Sequence, residues 1–402
     1  MQILEGIRVV EWSVFHQGPS AGVKLAEMGA DVIKLEEPGK GDQARGNKRM
    51  HGVSTDLPGG RNWFYEFLNY GKRGVAIDLK SQRGKEIVYS MIEGSDVFFT
   101  NFRRKAAVKL GLDYETLRRV NPKLIYASSS CLGNLGPFGD SPGLEGVAMA
   151  RSGLSLVAGE GNQPPVPIVS SVTDQTGGLL LTIGILAALF ARERSGIGQE
   201  VTTSQLGGGM LLQILNVMAR ILSGKELGRG VGSPPRNPLY NYYRCQDNRW
   251  IIVFMNQNRY WERFCRAIER PDWFENPKFV TLEGRAEHSS ELTKMLEDMF
   301  ASEPYDVWEK KLSREDLIFS IVNTTSAVLE DPQVVANNLL PTVDHPVLGK
   351  TRWLLTPIQF SQTPLAFHGP APELGQHTEE VLIENFGYSW DDVNKLREEG
   401  VI

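Results

Sequence analysis

The sequence predicts an α/β fold, a doubly wound parallel sheet in a large domain that is split by a smaller α+β domain. The first two hundred residues alternate short β-rich runs with segments of helical periodicity, the pattern of parallel strands joined by crossover helices. After residue 222 a connection rich in Gly and Pro leads into a hairpin pattern and then into helices. The predicted domains are 1–222 and 223–330, and a segment 331–402 is expected to return to the first.

The strands of the large domain are predicted from β-rich runs that alternate with helical segments. Ile7–Trp12 is the first strand, and the helix that follows has Pro19 near its start and Gly29 after its end. Further strands are expected at Asp31–Glu36, Gly74–Leu79, Asp96–Asn101 and Lys123–Ser129, with helices at Gly84–Gly94 and Tyr114–Val120.

The later part of the chain predicts a different arrangement. A hairpin is expected with its turn at Gln246–Asn248, and Trp261–Phe300 is helical in pattern. A helix near Thr378 and a final helix from about Trp390 are expected to close the chain.

Composition excludes several classes of function. The 402 residues include 43 Lys and Arg against 48 Asp and Glu, so a formal charge of −5 gives no overall attraction for nucleic acid or an anionic membrane. Cys131, Cys245 and Cys265 are odd in number and far apart, which indicates neither a metal pair nor a disulfide framework. Because the N-terminal residues also lack a signal-peptide pattern, a cytoplasmic location is expected.

An apolar run from Leu179 to Phe190 follows the carboxylate of Asp174. Because Thr182 and Gly184 interrupt the run and it falls short of the roughly 20 residues that a bilayer requires, we expect a buried helix and no membrane span.

Asp174 itself has two interpretations. An Asp ahead of an apolar helix is commonly an N-cap. Alternatively, the helix dipole holds the carboxylate ionised, and Gly177 and Gly178 leave room for a substrate, which is the environment of a nucleophile.

The loop after the first strand, Ser13–Gly22, lies where a doubly wound sheet binds its ligand. It lacks the GxGxxG pattern of a dinucleotide site, so NAD binding is not expected. His16 and Gln17 stand at the ligand position, although a lone His in a loop is often a structural hydrogen-bonding group.

Together these segments resemble the class III CoA-transferases, the formyl-CoA, carnitine and bile-acid CoA-transferase group of the CaiB/BaiF type. The resemblance runs in order over nearly the whole chain. Its segments are "GIRVVEW", "GPSAGVKLAEMGADVIKLEEPGKGDQARG", "LNYGKRGVAIDLK", "TNFRRKAAVKLGLDYETL", "NPKLIYASSSCLGNLGPFGD", the Asp174 segment, "RERSGIGQEV", "EDPQV" and "HGPAPELGQHTEEVL".

The resemblance implies that Asp174 is the family's nucleophilic aspartate. A carboxylate that attacks a thioester expels CoA thiolate and forms a mixed anhydride, and the thiolate then returns to give an aspartyl-CoA thioester. The chemistry requires neither a metal nor a tightly bound cofactor, since a coenzyme A thioester is itself the substrate. The expected partners are an acyl-CoA and a carboxylic acid.

The resemblance also implies positions for the ligand. Gln17 is expected to orient the acyl oxygen beside His16. The residues expected along coenzyme A are Ile77, Leu79 and Lys80 at the adenine and ribose, then Asn101, Phe102, Ala106 and Lys109. Arg103, with Arg104 and Lys105, is expected to meet phosphates unless these residues are only a solvated helix start.

This chain departs from the family pattern at two places. Pro38 stands where some relatives carry Arg, and the family's glycine-rich loop appears only as Gly228–Pro235. These departures affect two inferences from the resemblance: the contacts with the CoA nucleotide and the covering of the active site.

Two alternatives remain open. The acyl-CoA racemases of the same superfamily use a His about thirty residues before the Asp, where this chain has Leu144, which cannot move a proton. A non-catalytic subunit of a heteromeric CoA-transferase is the second alternative, although such a subunit need not retain Asp174. For an active enzyme the family implies an interlocked homodimer, or a heteromer with a homologous subunit.

The acids themselves cannot be read from the sequence. Trp12, Phe15 and Trp63 would suit an acyl pocket for a bulky or aromatic acid, but aromatic residues are more often part of a core.

Overall fold

The chain forms two compact units in a computed structural model, which describes residues 1–159, 161, 163–166, 168, 170–230, 232 and 234–402. The first unit comprises 1–155, 167–214 and 337–402, and the second comprises 156–166 and 215–336. The chain therefore leaves the first unit and returns to it.

A six-stranded sheet forms the centre of the first unit. Its strands are β1 (Arg8–Trp12), β2 (Asp31–Glu36), β3 (Arg73–Ala76), β4 (Val97–Thr100), β5 (Ile125–Ser130) and β6 (Gln199–Ser204). They lie in the order β3-β2-β1-β4-β5-β6, and every neighbouring pair is parallel, which confirms the predicted parallel α/β class. The third strand ends earlier than predicted, so Ile77 and Leu79 lie in the loop beyond it.

Helices cover both faces of this sheet. They are α1 (Gln17–Glu27), α2 (Trp63–Asn69), α3 (Gln82–Glu93), α4 (Arg104–Leu110), α5 (Tyr114–Val120), α6 (Glu145–Ser152), α7 (Val172–Ser195) and α8 (Gln205–Leu212). Val10 of β1 packs in one apolar cluster with α3 and α5, whereas its neighbour Val9 packs in another with α1 and α7. Since adjacent strand residues point to opposite faces, the sheet is buried on both sides.

Helix α7 is longer and less buried than predicted. Its 24 residues are long and apolar enough, by length and composition, to cross a membrane, and 39% of its most apolar 18-residue window is buried. It packs against α1 and strands β5 and β6 through one face that includes Leu181 and Ile185. Ile183 and Phe190 on another side are 59% and 62% exposed. It is therefore a half-buried helix of the first unit.

The second unit contains a three-stranded antiparallel sheet of β7 (Tyr240–Arg244), β8 (Trp250–Phe254) and β9 (Phe319–Ile321). The first two strands form the hairpin predicted around Gln246–Asn248. The helices of this unit are α9 (Ile214–Ser223), α10 (Arg259–Ala267), α11 (Pro271–Glu275), α12 (Leu282–Glu287), α13 (Ser289–Phe300), α14 (Tyr305–Arg314), α15 (Thr325–Val328) and α16 (Pro332–Ala336).

The second unit also includes residues 156–166, which were predicted to belong to the large domain. The side chain of Arg229 donates hydrogen bonds to the carbonyl oxygens of Ala158 and Pro164, each at 2.7 Å, and to that of Gln163. These bonds join the segment to the glycine-rich connection at Gly228–Pro235, of which Val231 and Ser233 lie outside the described residues.

The last segment packs with the first unit. It contains a hairpin of β10 (Thr342–His345) and β11 (Gly349–Arg352), then α17 (Thr378–Glu380), a π-helical turn (Val381–Asn385) and α18 (Trp390–Glu398). Val381 and Leu396 are buried in the same apolar cluster as Val10 of β1.

Candidate active site

Asp174 is the third residue of α7 and lies in the first turn of the helix, so the N-cap interpretation is wrong. Ser171 precedes the helix with a positive φ of 53° and makes no side-chain capping bond. Glu145, the first residue of α6, caps the helix, because its Oε1 accepts a hydrogen bond from the backbone N–H of Thr173 at 2.9 Å. A carboxylate from another helix thus satisfies a backbone donor that the first turn leaves open.

The electrostatic surroundings of Asp174 differ from the expectation of a fully ionised group. Burial and the nearby carboxylate of Glu145 raise the pKa of Asp174 to about 7, against the hydrogen bond that Gln205 Nε2 donates to its Oδ1. At neutral pH the helix N-terminus therefore does not keep the whole population charged. A carboxylate with this pKa is a candidate functional group.

The two glycines that follow Asp174 serve helix packing and not substrate access, which corrects the prediction. A Cβ on Gly177 would lie 2.4 Å from Gln17 Nε2, and one on Gly178 would lie 2.0 Å from Ser20 Oγ. Both glycines are buried, and α1 crosses α7 at this point. The missing side chains let the two backbones approach closely.

The side chain of Gln17 lies in this contact between helices. It is 5% exposed, and its Nε2 donates a hydrogen bond of 2.6 Å to Ser129 Oγ, which also accepts a bond from Thr203. The role predicted for Gln17 in orienting the acyl oxygen stays a prediction, and it would require this bond to open.

His16 is buried beside the residue that follows Asp174. Its Nε2 lies 2.8 Å from Nε2 of Gln175, and its ring makes edge contacts with Phe64 and Phe67. Burial and the nearby Lys24 lower the pKa of His16 to about 4, so the ring is neutral at physiological pH.

A buried network holds the loop that leads to His16. Phe15 has a positive φ of 67°, and its N–H donates to the carboxylate of Asp42 at 3.0 Å. Asp42 pairs in turn with the fully buried Lys34 at 2.9 Å. Asn101 fixes the loop, because its amide both donates to and accepts from the backbone of Val14, and its predicted contact with CoA stays a prediction.

Several residues predicted along the CoA nucleotide surround one cavity of about 290 Å³. It lies at the carboxyl ends of β1–β4, where an open α/β sheet usually binds its ligand. Trp12 and Phe102 stack inside it with ring centroids 4.2 Å apart. The other predicted residues on its wall are Ile77, Leu79, Lys80 and Ala106.

The basic residues predicted along coenzyme A or near its phosphates lie at the surface. Lys80 Nζ is 2.8 Å from Glu37, and Arg103 donates weakly to the backbone of Asp140 at 3.4 Å. Lys109, in the last turn of α4, is exposed. Of these three residues, Lys80 lies on the cavity wall.

Sequence reasoning missed four residues around Asp174. Gln205 donates to its carboxylate, and Glu145 accepts from the backbone of Thr173, the residue before it. Gln175, the residue after it, contacts His16 and Lys24. Gln205 had a usable signal, because it opens a helix directly after the last strand of the sheet, at the edge where sites form. In the part of the chain that the structure describes, no group of three His, Cys, Asp or Glu residues is arranged to hold a metal ion.

A doubly wound sheet with a half-buried carboxylate at the start of a helix, and a cavity at the carboxyl edge, has the arrangement of an α/β enzyme. The model of CoA-transferase family III matches residues 4–378, and the chain belongs to this family. It is therefore a CoA-transferase.

The similarity to known relatives extends over nearly the whole chain. The chain is 31% identical to (R)-2-hydroxy-4-methylpentanoate CoA-transferase of Clostridioides difficile, covering 100% of this chain and 99% of the relative. It is 30% identical to cinnamoyl-CoA:phenyllactate CoA-transferase of Clostridium sporogenes, covering 99% and 96%. The crystal structure of a CaiB/BaiF family protein from Brucella suis superposes with a TM-score of 0.83 at 27% identity, covering 95% of this chain and 99% of that one.

Proposed function

We propose that the enzyme transfers CoA between an acyl-CoA and a carboxylic acid through covalent intermediates on Asp174. The observation that carries the proposal is the position of Asp174, in the first turn of α7, with Gln205 donating to its carboxylate and a pKa of about 7. At neutral pH a large fraction of this carboxylate is ionised and available as a nucleophile.

The proposed steps balance without a redox partner. The Asp174 carboxylate attacks the thioester carbonyl and the C–S bond breaks. This step expels CoA thiolate and forms a mixed anhydride between Asp174 and the acyl group. The thiolate attacks the aspartyl carbonyl of that anhydride, which gives an aspartyl-CoA thioester and releases the donor acid. The acceptor carboxylate then attacks this thioester, and the returning thiolate cleaves the second anhydride to form the new acyl-CoA and restore Asp174.

The cavity between Trp12, Phe102 and Lys80 is proposed to take the adenine end of CoA. Its aromatic wall suits a flat base. The exposed Lys80 on this wall is a candidate counter-charge for phosphates, as are the exposed Arg103 and Lys109, which follow Phe102 and precede Leu110 of the wall in the chain.

The enzyme is further proposed to act as a homodimer. In the first unit, the apolar side chains of Leu179, Ile183 and Phe190 are exposed along α7. In the second unit, α9 buries none of its residues, and Leu215 and Ile221 are 73% and 66% exposed. Exposed apolar surface of this extent is typical of subunit interfaces.

The proposal is tested with Asp174→Asn and Asp174→Ala. Both variants are expected to lose at least roughly a thousandfold in kcat, since only the nucleophile is removed, and to retain CoA binding. Asp391→Asn is the matched control, because Asp391 is also an acidic residue in the first turn of a helix but is exposed; it should keep full activity.

Trapping provides a second readout. Borohydride or hydroxylamine added during turnover should modify the peptide that carries Asp174, as mapped by mass spectrometry. Label on Cys131 instead, or near-normal transfer by Asp174→Ala, would contradict the covalent mechanism. Rapid α-deuterium exchange into an acyl-CoA in D2O without any acceptor acid would favour the racemase alternative.

A further inference from the structure

A second and larger cavity, of about 620 Å³, opens in the first unit beside Gln175. Its wall combines aliphatic side chains and two cations, Lys24 and Arg352, with four aromatic side chains, Trp63, Phe67, Tyr70 and Trp353. Trp63 and Phe67 stack with ring centroids 6.1 Å apart. The volume lies within the range of small-molecule sites, about 300–1,000 Å³.

The cavity borders the helix that carries Asp174. Gln175 follows Asp174 directly in α7 and lines the cavity, and Leu179, one helical turn later, lines it as well. An acid whose carboxylate waits beside Asp174 would therefore place its organic part between the aromatic walls.

One buried cation faces this apolar space. Lys24 is 9% exposed, and its Nζ donates to the carbonyl oxygen of Ser20 at 3.0 Å and to Gln175 Oε1 at 3.3 Å. It forms no ion pair with any carboxylate that the structure describes, and these two bonds leave one of its three N–H donors open. A buried ammonium without an anion is costly unless a ligand supplies one.

The two carboxylates on the cavity wall are already engaged by other groups. Glu27 accepts hydrogen bonds from the backbone N–H of Thr356 and from the hydroxyl of Tyr70. Glu66 pairs with Arg61 at 2.7 Å. Neither neutralises Lys24 by direct contact.

We infer that this cavity binds the acid that the enzyme exchanges, that this acid carries a large apolar or aromatic chain, and that Lys24 pairs with its carboxylate. The inference rests on the proposed function, because only that function makes the bound acid a substrate.

The test is direct binding of free acids by calorimetry, without CoA. 3-Phenylpropanoate should bind at least roughly tenfold more tightly than 3-phenylpropanamide or succinate, since only it offers both the apolar chain and a carboxylate. Lys24→Met should reduce the affinity for the acid to that for the amide and leave the amide unchanged. Lys294→Met, a lysine 67% exposed on the second unit, should change neither.

A second variant keeps the inference testable if Lys24→Met fails to fold. Leu354→Trp, at a residue of the cavity wall that is 65% exposed, should weaken binding of 3-phenylpropanoate about tenfold or more by filling the space. Equal affinity for succinate and 3-phenylpropanoate, or unchanged binding in folded Lys24→Met or Leu354→Trp, would overturn the inference.

The outcome separates this inference from the proposed function. Asp174→Asn should still bind 3-phenylpropanoate while losing transfer. If it binds the acid and retains transfer, the covalent mechanism is wrong and the cavity assignment stands. If the wild type transfers CoA but does not bind the acid, the cavity assignment is wrong and the mechanism stands.

Discussion

At the scale of single residues, the pKa of Asp174 is set by burial and by two neighbours that act in opposite directions. Glu145 brings a like charge and raises the pKa of Asp174, whereas the hydrogen bond from Gln205 lowers it. Burial is the largest cause, and together they place the pKa at about 7. The proportion of nucleophile present at neutral pH therefore depends on side chains from two other helices.

This balance predicts the pH dependence of transfer. Only ionised Asp174 attacks, so kcat/KM should rise as the pH increases through about 7 and level off above it. Glu145→Gln keeps an oxygen acceptor for Thr173 but removes the charge, so the midpoint should shift to lower pH. Gln205→Leu removes a donor to the carboxylate, so the midpoint should shift to higher pH.

The measurement is the kcat/KM profile between pH 5 and pH 9. Well below both midpoints, moving the midpoint by about one pH unit changes kcat/KM roughly tenfold. Shifts of the two variants in the same direction, or a wild-type profile that falls between pH 6 and pH 8, would be incompatible with Asp174 as the titrating nucleophile. Asp391→Asn should reproduce the wild-type profile.

At the scale of secondary-structure elements, the contact between α1 and α7 positions the site. Gly177 and Gly178 let α7 lie directly on Gln17 and Ser20, and the same contact holds Gln175 beside His16 and Lys24. The nucleophile and the buried cation are thus placed by two helices that touch through glycine.

Gly178→Ala should consequently destabilise the fold. The new Cβ would meet Ser20 Oγ at 2.0 Å and the backbone oxygen of Gln17 at 2.9 Å, and relieving this overlap should cost about 1–3 kcal/mol. Gly146→Ala is the matched control, because Gly146 lies inside α6 and a methyl group there would meet nothing within 4 Å. It should be neutral or stabilise by up to about 1 kcal/mol.

Thermal and urea unfolding of both variants would measure the difference. An unchanged free energy of unfolding for Gly178→Ala would show that α1 can move away from α7 at no cost. Such a result would contradict rigid positioning of Asp174 by this contact.

At the scale of the whole molecule, the proposed dimer depends on the apolar side chains left exposed on α7 and α9. A charge placed on such a surface should prevent association because it would have to be desolvated. Ile183→Lys, at a side chain 59% exposed, is therefore expected to convert a dimer into a monomer.

Light scattering after size-exclusion chromatography would determine the mass of each variant. The wild type should elute at twice the mass of 44.8 kDa and Ile183→Lys at that mass. Val53→Lys, at an apolar residue 61% exposed but outside these helices, is the matched control and should remain dimeric. A monomeric wild type with full activity would contradict the proposed dimer.

The sequence alone determined the parallel α/β class, the hairpin of the second unit, the family and the position of the candidate nucleophile. These features depend on local periodicity, turn residues and ordered motifs, which neighbouring residues in the chain specify. The strand Asp31–Glu36 and the helix Tyr114–Val120 were predicted to the residue.

Only the tertiary structure decided what surrounds Asp174. Glu145, Gln205 and Lys24 are 29, 31 and 150 residues away from it along the chain. The packing of α6, α8 and α1 against α7 brings them close to its first turn. The same packing assigned Gly177 and Gly178 to a helix contact and turned the amide of Gln17 toward Ser129. Burial and distance set a pKa or a binding cavity, and neither quantity exists until distant segments of the chain pack together.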